Sequence, residues 1–379
     1  MNPVLPGLRD TLWVDFRSYI PKFAYIHSRA FYDGAALTYP ATTVVPFAFF
    51  LIPYPHGRVQ ILLACLRLCS VIAAGAFIML VGFRCGLLRR GMSKPEAVRF
   101  LLATLFLSFP FWFLLYTGNF EFTVWFVLVG AFYFFWKGDD PPAAVLFGLA
   151  AAMKIFPVIL LGLFIARRQL KAVAIAIVTA VAVTVPSLWI LCPDIHVSWK
   201  LTNDAIGYTR NFYMLTLRPI ESGFDHTLFV LIKRLLLPLP PPAQMDKLLH
   251  IYLVVVAIGG VLIFIFRIRF LPVINQILCF VVAMITLTPV SYDYTLIHLY
   301  IPFALLCFVS LERFEENKRA LLIAFSLFAF VLSAQSEFIL HGLRFAGQLK
   351  ALGLLLLFVL ALVHPFHSSS NQHLQEHAQ

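Results

Sequence analysis

Four groups of residues in this 379-residue sequence could do chemistry. The first runs from Asp15 to Tyr39 and sets Asp15, Tyr19 and Tyr39 among further aromatic and basic residues. The second is a single lysine, Lys154, in the middle of the apolar run 143–166. The third is the polar stretch 193–226, which holds Arg210 and His226, and the fourth is Tyr292-Asp293-Tyr294 with His298 following. A carboxylate such as Asp15, set near aromatics, can take the proton from a hydroxyl nucleophile. The competing reading is a solvated loop charge. Asp293 has the same two readings, because an aspartate there also caps a helix beginning near Tyr294.

Lys154 raises a structural question before a chemical one. The run 143–166 is long enough to span a bilayer once, about 36 Å as one helix. A charge at mid-bilayer costs about 2.5–3.5 kcal/mol on the insertion scale. Either one helix tolerates that cost, or two half-length helices place Lys154 at their tip. In the second case the later half begins near Pro157, a favoured first helical position, and its positive end faces outward beside the ammonium. Such a pairing suits a phosphate. The alternative is that Lys154 snorkels to the headgroup region.

The elements that must hold these groups are membrane helices. Hydrophobic residues make up 61% of the chain and charged residues 12%, and apolar runs of about 18 residues or more recur along its length. The net charge of +11 does not point to nucleic acid, because the basic residues sit in short loops between spans, where they orient helices. No Walker loop, dinucleotide fingerprint or Ser-His-Asp order is present. Cys65, Cys69, Cys85, Cys192, Cys279 and Cys307 lie in or beside apolar runs without metal-type spacing, which predicts packing roles. The histidines form no zinc-type cluster, and His364, His367, His373 and His377 read as a solvated tail.

Spans are expected at 60–82, 99–116, 122–136, 172–192, 248–266, 270–289, 294–311, 320–340 and 346–363. The run 40–53 is too short to cross and reads as an interfacial or re-entrant piece. Ser93 to Glu96 resembles a capping box. Thr227–Leu237, short and carrying Lys233 and Arg234, is expected to lie along the outer interface. The loop charges decide the fate of 143–166. If it crosses once, Arg167, Arg168 and Lys171 land outside and every later loop inverts. If it is a re-entrant pair, those charges and Arg267, Arg269 and 312–319 all fall inside, as the positive-inside rule requires. The sequence therefore predicts an all-α, polytopic integral membrane protein with about ten or eleven membrane helices, including a half-length pair at 143–166. It forms one membrane domain over 1–379, divided into an outer-face segment at 1–59, core helices at 60–192, an outer loop with an interfacial helix at 193–247, C-terminal helices at 248–363 and a cytoplasmic tail at 364–379.

The order of these features resembles glycosyltransferase family 87, polyprenol-phosphate-mannose-dependent enzymes of the GT-C fold. The resemblance rests on Asp15-Phe-Arg-Ser-Tyr19 with Gly34 and Tyr39-Pro40, on Gly118-Asn119 at a span end, and on Leu146 through Lys154-Ile-Phe-Pro157 followed by Arg167-Arg168. Ser291-Tyr-Asp293 fits more loosely. It implies a GT-C-like helical bundle that moves a hexose, mannose foremost, from a polyprenyl-phosphate donor to a lipid or glycan acceptor with inversion. Asp15 would be the general base. Lys154, Tyr19, Tyr39, Asn119, Arg210, His226, Asp293 and His298 would contact the donor phosphate or substrate. No metal or other cofactor is implied. The implied partners are the lipid-linked donor, the acceptor and membrane lipids. The implied place is a cell membrane of the bacterial cytoplasmic type, with the site facing outward.

The pattern departs from the family in two places. The family carries a span ahead of the aspartate, whereas residues 1–14 are too few and too polar to make one, so the expectation is a chain shortened at its start. Tyr294 stands where a histidine is expected, and His298 lies one turn on. Two rival readings follow from other classes. Broken helices and intramembrane charge also mark a transporter or flippase, whose halves would repeat; no repeat is visible. A chain without its first span could instead be an inactive membrane scaffold.

Overall fold

The computed structural model describes residues 25–32, 40–48, 58–217, 223–333, 339–340 and 343–366. Among these residues the chain forms fourteen α-helices joined by short 3₁₀ and π turns, and one small hairpin in which β1 (Ile339–Leu340) pairs antiparallel with β2 (Leu343–Arg344). Among the described residues, five stretches are long and apolar enough to cross a membrane: Ser70–Arg89, Leu170–Leu191, Pro242–Phe270, Asp293–Leu332 and Ala346–Val363. Val178, Val255 and Val359 point outward from three of them. Contiguous exposed apolar surface of this kind marks contact with lipid. The chain is a polytopic, all-helical membrane protein.

The run 143–166 is a hairpin of two half-length arms. Helix α6 (Asp140–Met153) ends at Lys154, whose backbone is extended, and the chain resumes as a 3₁₀ turn (Phe156–Leu161) and a short helix, α7 (Gly162–Ala166). In one continuous helix Phe147 and Phe164 would lie about 25 Å apart. Their ring centroids are instead 5.7 Å apart, and the Arg167 guanidinium lies 3.8 Å from the Asp140 carboxylate. The two ends therefore meet, and Lys154 is the tip. Pro157 cannot continue the α6 ladder, because it has no N–H to give. The hairpin is clamped between α5 (Glu121–Lys137) and α8 (Leu170–Leu191). At Gly148 any Cβ would lie 2.2 Å from the carbonyl oxygen of Ala176, so only glycine lets α6 and α8 approach this closely.

Helix α13 (Tyr300–Leu332) also reverses. Arg313 within it is non-helical, and Phe303 packs on Phe325 and Phe328 with centroids 5.8 and 5.4 Å away. It is thus two antiparallel arms, as the separate expected spans at 294–311 and 320–340 require. Between them and α14 (Ala346–Val363) runs α12 (Val273–Thr286), every residue of which is buried. A mostly apolar helix belongs in such a centre, and its two amides, Asn275 and Gln276, donate to the carbonyls of Ala361 and Leu271.

Four expectations need correction. The span expected at 99–116 is two helices, α3 (Lys94–Leu107) and α4 (Phe109–Thr117), broken at the extended residue Ser108 because Pro110 must sit in the first turn of a new helix. The polar stretch 193–226 contains a helix, α9 (Ile195–Thr209), started by the Asp194 carboxylate, which accepts from the N–H groups of His196 and Val197. The segment around α10 (Leu228–Leu235) does not hold Lys233 at the interface. Lys233 turns inward to donate to the carbonyls of Tyr213, in the π turn Arg210–Met214, and of Thr216, just beyond it. The tail does not begin as solvated chain: His364 Nε2 lies 3.0 Å from Asn317 Oδ1, and Phe366 is fully buried. The expected capping box is present at Ser93 and Glu96. The Glu96 carboxylate accepts from both the N–H and the hydroxyl of Ser93, which hold it below the usual carboxylate range.

The bundle has two unlike ends. At one, Arg90 pairs with Glu312, Arg167 lies beside Asp140, α7 packs on the 268–270 turn, and Arg267 donates to the carbonyl of Leu362. Helix α5 leads about 25 Å away from this end to Glu121. There α8 also finishes, and residues 25–32 dock: Tyr32 shares its hydroxyl with Ser198 and Thr202 of α9. The short helix α1 (Ala41–Ala48) inserts there too, with Thr43 donating to the Met153 carbonyl at the hairpin tip. The 40–53 piece therefore enters the bundle without crossing it, as far as its described residues run.

Candidate active site

The far end is built on a turn. Gly118 closes α4 with a positive φ of 61°, which suits glycine, and its N–H returns to the Leu114 carbonyl. Asn119, buried, then accepts the Glu121 N–H on its side-chain oxygen at 2.9 Å and so starts α5. Glu121 is the first residue of that helix, where its charge meets the positive end of the dipole. Its side chain is fully buried.

That carboxylate is shared. One oxygen receives the Lys154 ammonium from the hairpin tip, and the other lies 2.6 Å from Nε2 of His298, also fully buried. The ammonium stands 5.2 and 5.5 Å from the centroids of the Phe156 and Tyr294 rings. Lys154 therefore does not snorkel to a headgroup layer. It is held at the tip by a buried ion pair and two ring faces.

A second cluster of the same kind lies beside it. His226 and Asp225 pair with Ser291 and Tyr292 in a short β-bridge, with the His226 N–H donating to Ser291 O at 3.1 Å. This pairing sets His226 Nδ1 3.3 Å from Oδ1 of Asp293 and His226 Nε2 3.3 Å from the Thr295 hydroxyl. The other Asp293 oxygen accepts from Lys350 of α14 at 2.9 Å. Asp293 thus spends its carboxylate on Lys350 and His226 and does not cap the 3₁₀ segment Asp293–Leu299. Gly347 makes this reach possible, since any Cβ there would lie 2.2 Å from the Asp225 carbonyl oxygen. Burial pushes the neighbouring Asp225 carboxyl above its usual range.

An aromatic row joins the two clusters. Tyr294, against Lys154, stacks on Phe113 at 6.1 Å; Phe113 stacks on Phe109 at 5.3 Å; and Lys350 stands 5.2 Å over Phe109. Each cluster is a carboxylate between a lysine and a histidine. Ionisable groups collected and buried at one end of a membrane bundle mark function by default.

Of the residues expected at the site, Asn119, Lys154 and His298 come together around Glu121, and His226 and Asp293 around Lys350. Arg210 joins neither: it pairs with Asp246, and its guanidinium lies 3.3 Å from the His250 ring, both on α11 (Pro242–Phe266). Asp15, Tyr19 and Tyr39 lie outside the described residues. Sequence reasoning missed Glu121 and Lys350. The signal was available, since each is a lone charge at or near the start of an apolar helix, and such a charge requires a buried partner of opposite sign.

The model of Glycosyltransferase family 87 matches residues 37–291, more than half of the chain. The match includes Asn119, Glu121, Lys154 and His226; Asp15 precedes it, and Asp293 and His298 follow it. No curated protein matches the chain, and no solved structure does.

Proposed function

Because the chain belongs to glycosyltransferase family 87, we propose that it transfers a hexose, mannose foremost, from a polyprenyl-phosphate donor to a lipid or glycan acceptor at the outer face of a cell membrane. The observation that carries this reading is Lys154, held at the tip of a half-length hairpin by the buried carboxylate of Glu121. A lipid-linked donor brings its phosphate to the membrane surface on a hydrocarbon anchor, and a cation fixed beneath that surface is what such a phosphate needs. The two-ended charge distribution supports the outward assignment, because basic loops belong on the cytoplasmic side and gather at the opposite end.

In the proposed reaction the acceptor hydroxyl attacks the anomeric carbon from the face opposite the phosphate. Its proton passes to Asp15, the bond from the anomeric carbon to the phosphate oxygen breaks, and the polyprenyl phosphate leaves with the electron pair. Lys154 stabilises the charge gained by the leaving phosphate, and inversion follows from the single displacement. Asp15 enters through its place upstream of residues 25–32, which dock at the same end as Lys154. The donor class is tested by incubating membranes that carry the chain with radiolabelled polyprenyl-phosphate hexoses and, separately, with labelled nucleotide hexoses. Label should reach lipid or glycan from the polyprenyl-phosphate donors alone. Transfer from the nucleotide sugar directly would overturn the donor assignment.

A further inference from the structure

The Glu121 cluster contains a buried polar atom with no partner among the described residues. His298 is 0% exposed, its Nε2 faces Glu121 at 2.6 Å, and its Nδ1 has no hydrogen-bond partner among the described residues. One turn along α5 from Glu121, the Trp125 ring packs edge-on against Tyr300, and its Nε1 is likewise buried and unmatched. Buried polar atoms are matched in all but a few cases, and the exceptions call for a role. Two unmatched atoms, an indole donor and an imidazole nitrogen, thus lie along one contact between α5 and the 293–300 segment.

Geometry fixes what His298 offers. Nε2 faces a carboxylate oxygen of Glu121, an acceptor, and so carries the N–H; in the neutral tautomer with its N–H there, Nδ1 is an acceptor. A phosphate oxygen is itself an acceptor and cannot satisfy such a nitrogen. A hydroxyl can. We propose that His298 Nδ1 accepts a hydrogen bond from a hydroxyl of the transferred hexose, so that His298 selects the sugar while Lys154 holds its phosphate. The inference rests on the donor class proposed above. It assigns the hydroxyl to the donor and not the acceptor because Lys154 and His298 occupy the two oxygens of one carboxylate, which brings a donor's phosphate and sugar within reach of both.

The test measures binding by purified full-length protein of a short-chain polyprenyl phosphate, its hexose-bearing form and the monodeoxy forms of that hexose. The variant is His298→Gln, whose side-chain amide can still donate to Glu121 but has no counterpart of Nδ1, and a thermal midpoint checks that it folds. In the wild type, one monodeoxy form should bind about tenfold more weakly than the parent, the usual penalty for stranding a buried acceptor. In His298→Gln the parent should weaken by a similar factor, that deoxy form should bind as the parent does, and the sugar-free polyprenyl phosphate should bind as it does to the wild type. If polyprenyl phosphate binds but every deoxy form matches the parent, the hydroxyl contact is overturned and the donor class stands. If no polyprenyl phosphate binds the wild type, the donor class fails and this proposal with it. Should His298→Gln not fold, His298→Asn, which retains a polar atom near Nδ1 and loses the one at Nε2, should keep the wild-type ranking of deoxy forms; a flattened ranking in that variant overturns the assignment to Nδ1.

Discussion

Replacing Glu121 with glutamine should sharply lower the amount of folded protein, read as a fall in thermal midpoint and a loss of the monodisperse peak in detergent. The carboxylate is fully buried and serves Lys154 on one oxygen and His298 on the other. Glutamine can accept through its oxygen, but its amide nitrogen then faces one of two donors, and the ammonium of Lys154 loses its counter-charge. Leaving one member of a buried pair uncompensated costs about 3–5 kcal/mol. That is a large part of the whole stability of an ordinary domain. The double variant Glu121→Gln with Lys154→Met removes both charges and should recover most of the lost midpoint, because the stranded ammonium is gone. Its transfer activity should nonetheless stay at least about 10²-fold below wild type, the scale of losing one preorganised electrostatic contact. A Glu121→Gln protein as stable as the wild type would mean that the ion pair does not hold the hairpin tip.

Asp15→Asn should abolish transfer without disturbing the fold. Asparagine keeps the shape of the side chain but cannot take the acceptor's proton, and general-base assistance is worth about 10²–10⁴-fold. Thermal midpoint and affinity for polyprenyl phosphate should match the wild type, since Lys154 and Glu121 are untouched. The two variants are thus distinguishable: Glu121→Gln acts first on stability and Asp15→Asn on rate alone. Transfer at the wild-type rate by Asp15→Asn would remove it as the base.

The hairpin at 143–166 was legible because loop charges report the parity of membrane crossings, and Arg167, Arg168 and Lys171 admitted only one parity. That signal is additive over many residues and survives errors in helix ends. The break at Ser108 was not read, although Pro110 marks it, because an apolar run with a proline fits either a kinked span or two helices, and only packing chooses. The charge clusters were half legible. Lys154, His226, Asp293 and His298 stood out as polar residues at span ends. Glu121 and Lys350 did not, because pairing Glu121 with Lys154, 33 residues away, or Asp293 with Lys350, 57 away, depends on which helices are neighbours. Arg210 shows the same dependence on neighbours. The polar loop in which it reads as a donor-phosphate or substrate contact contains helix α9, and at the end of that helix Arg210 pairs with Asp246, away from both clusters.

The most direct measurement of the phosphate assignment is the binding of polyprenyl phosphate to wild-type protein and to the Glu121→Gln, Lys154→Met double variant, both purified and both shown to be folded. The account predicts saturable binding by the wild type and a loss of about tenfold or more in the double variant, because the cation at the hairpin tip is what holds the phosphate. Equal affinity in the two proteins would contradict it and leave the Lys154–Glu121 pair a structural clasp.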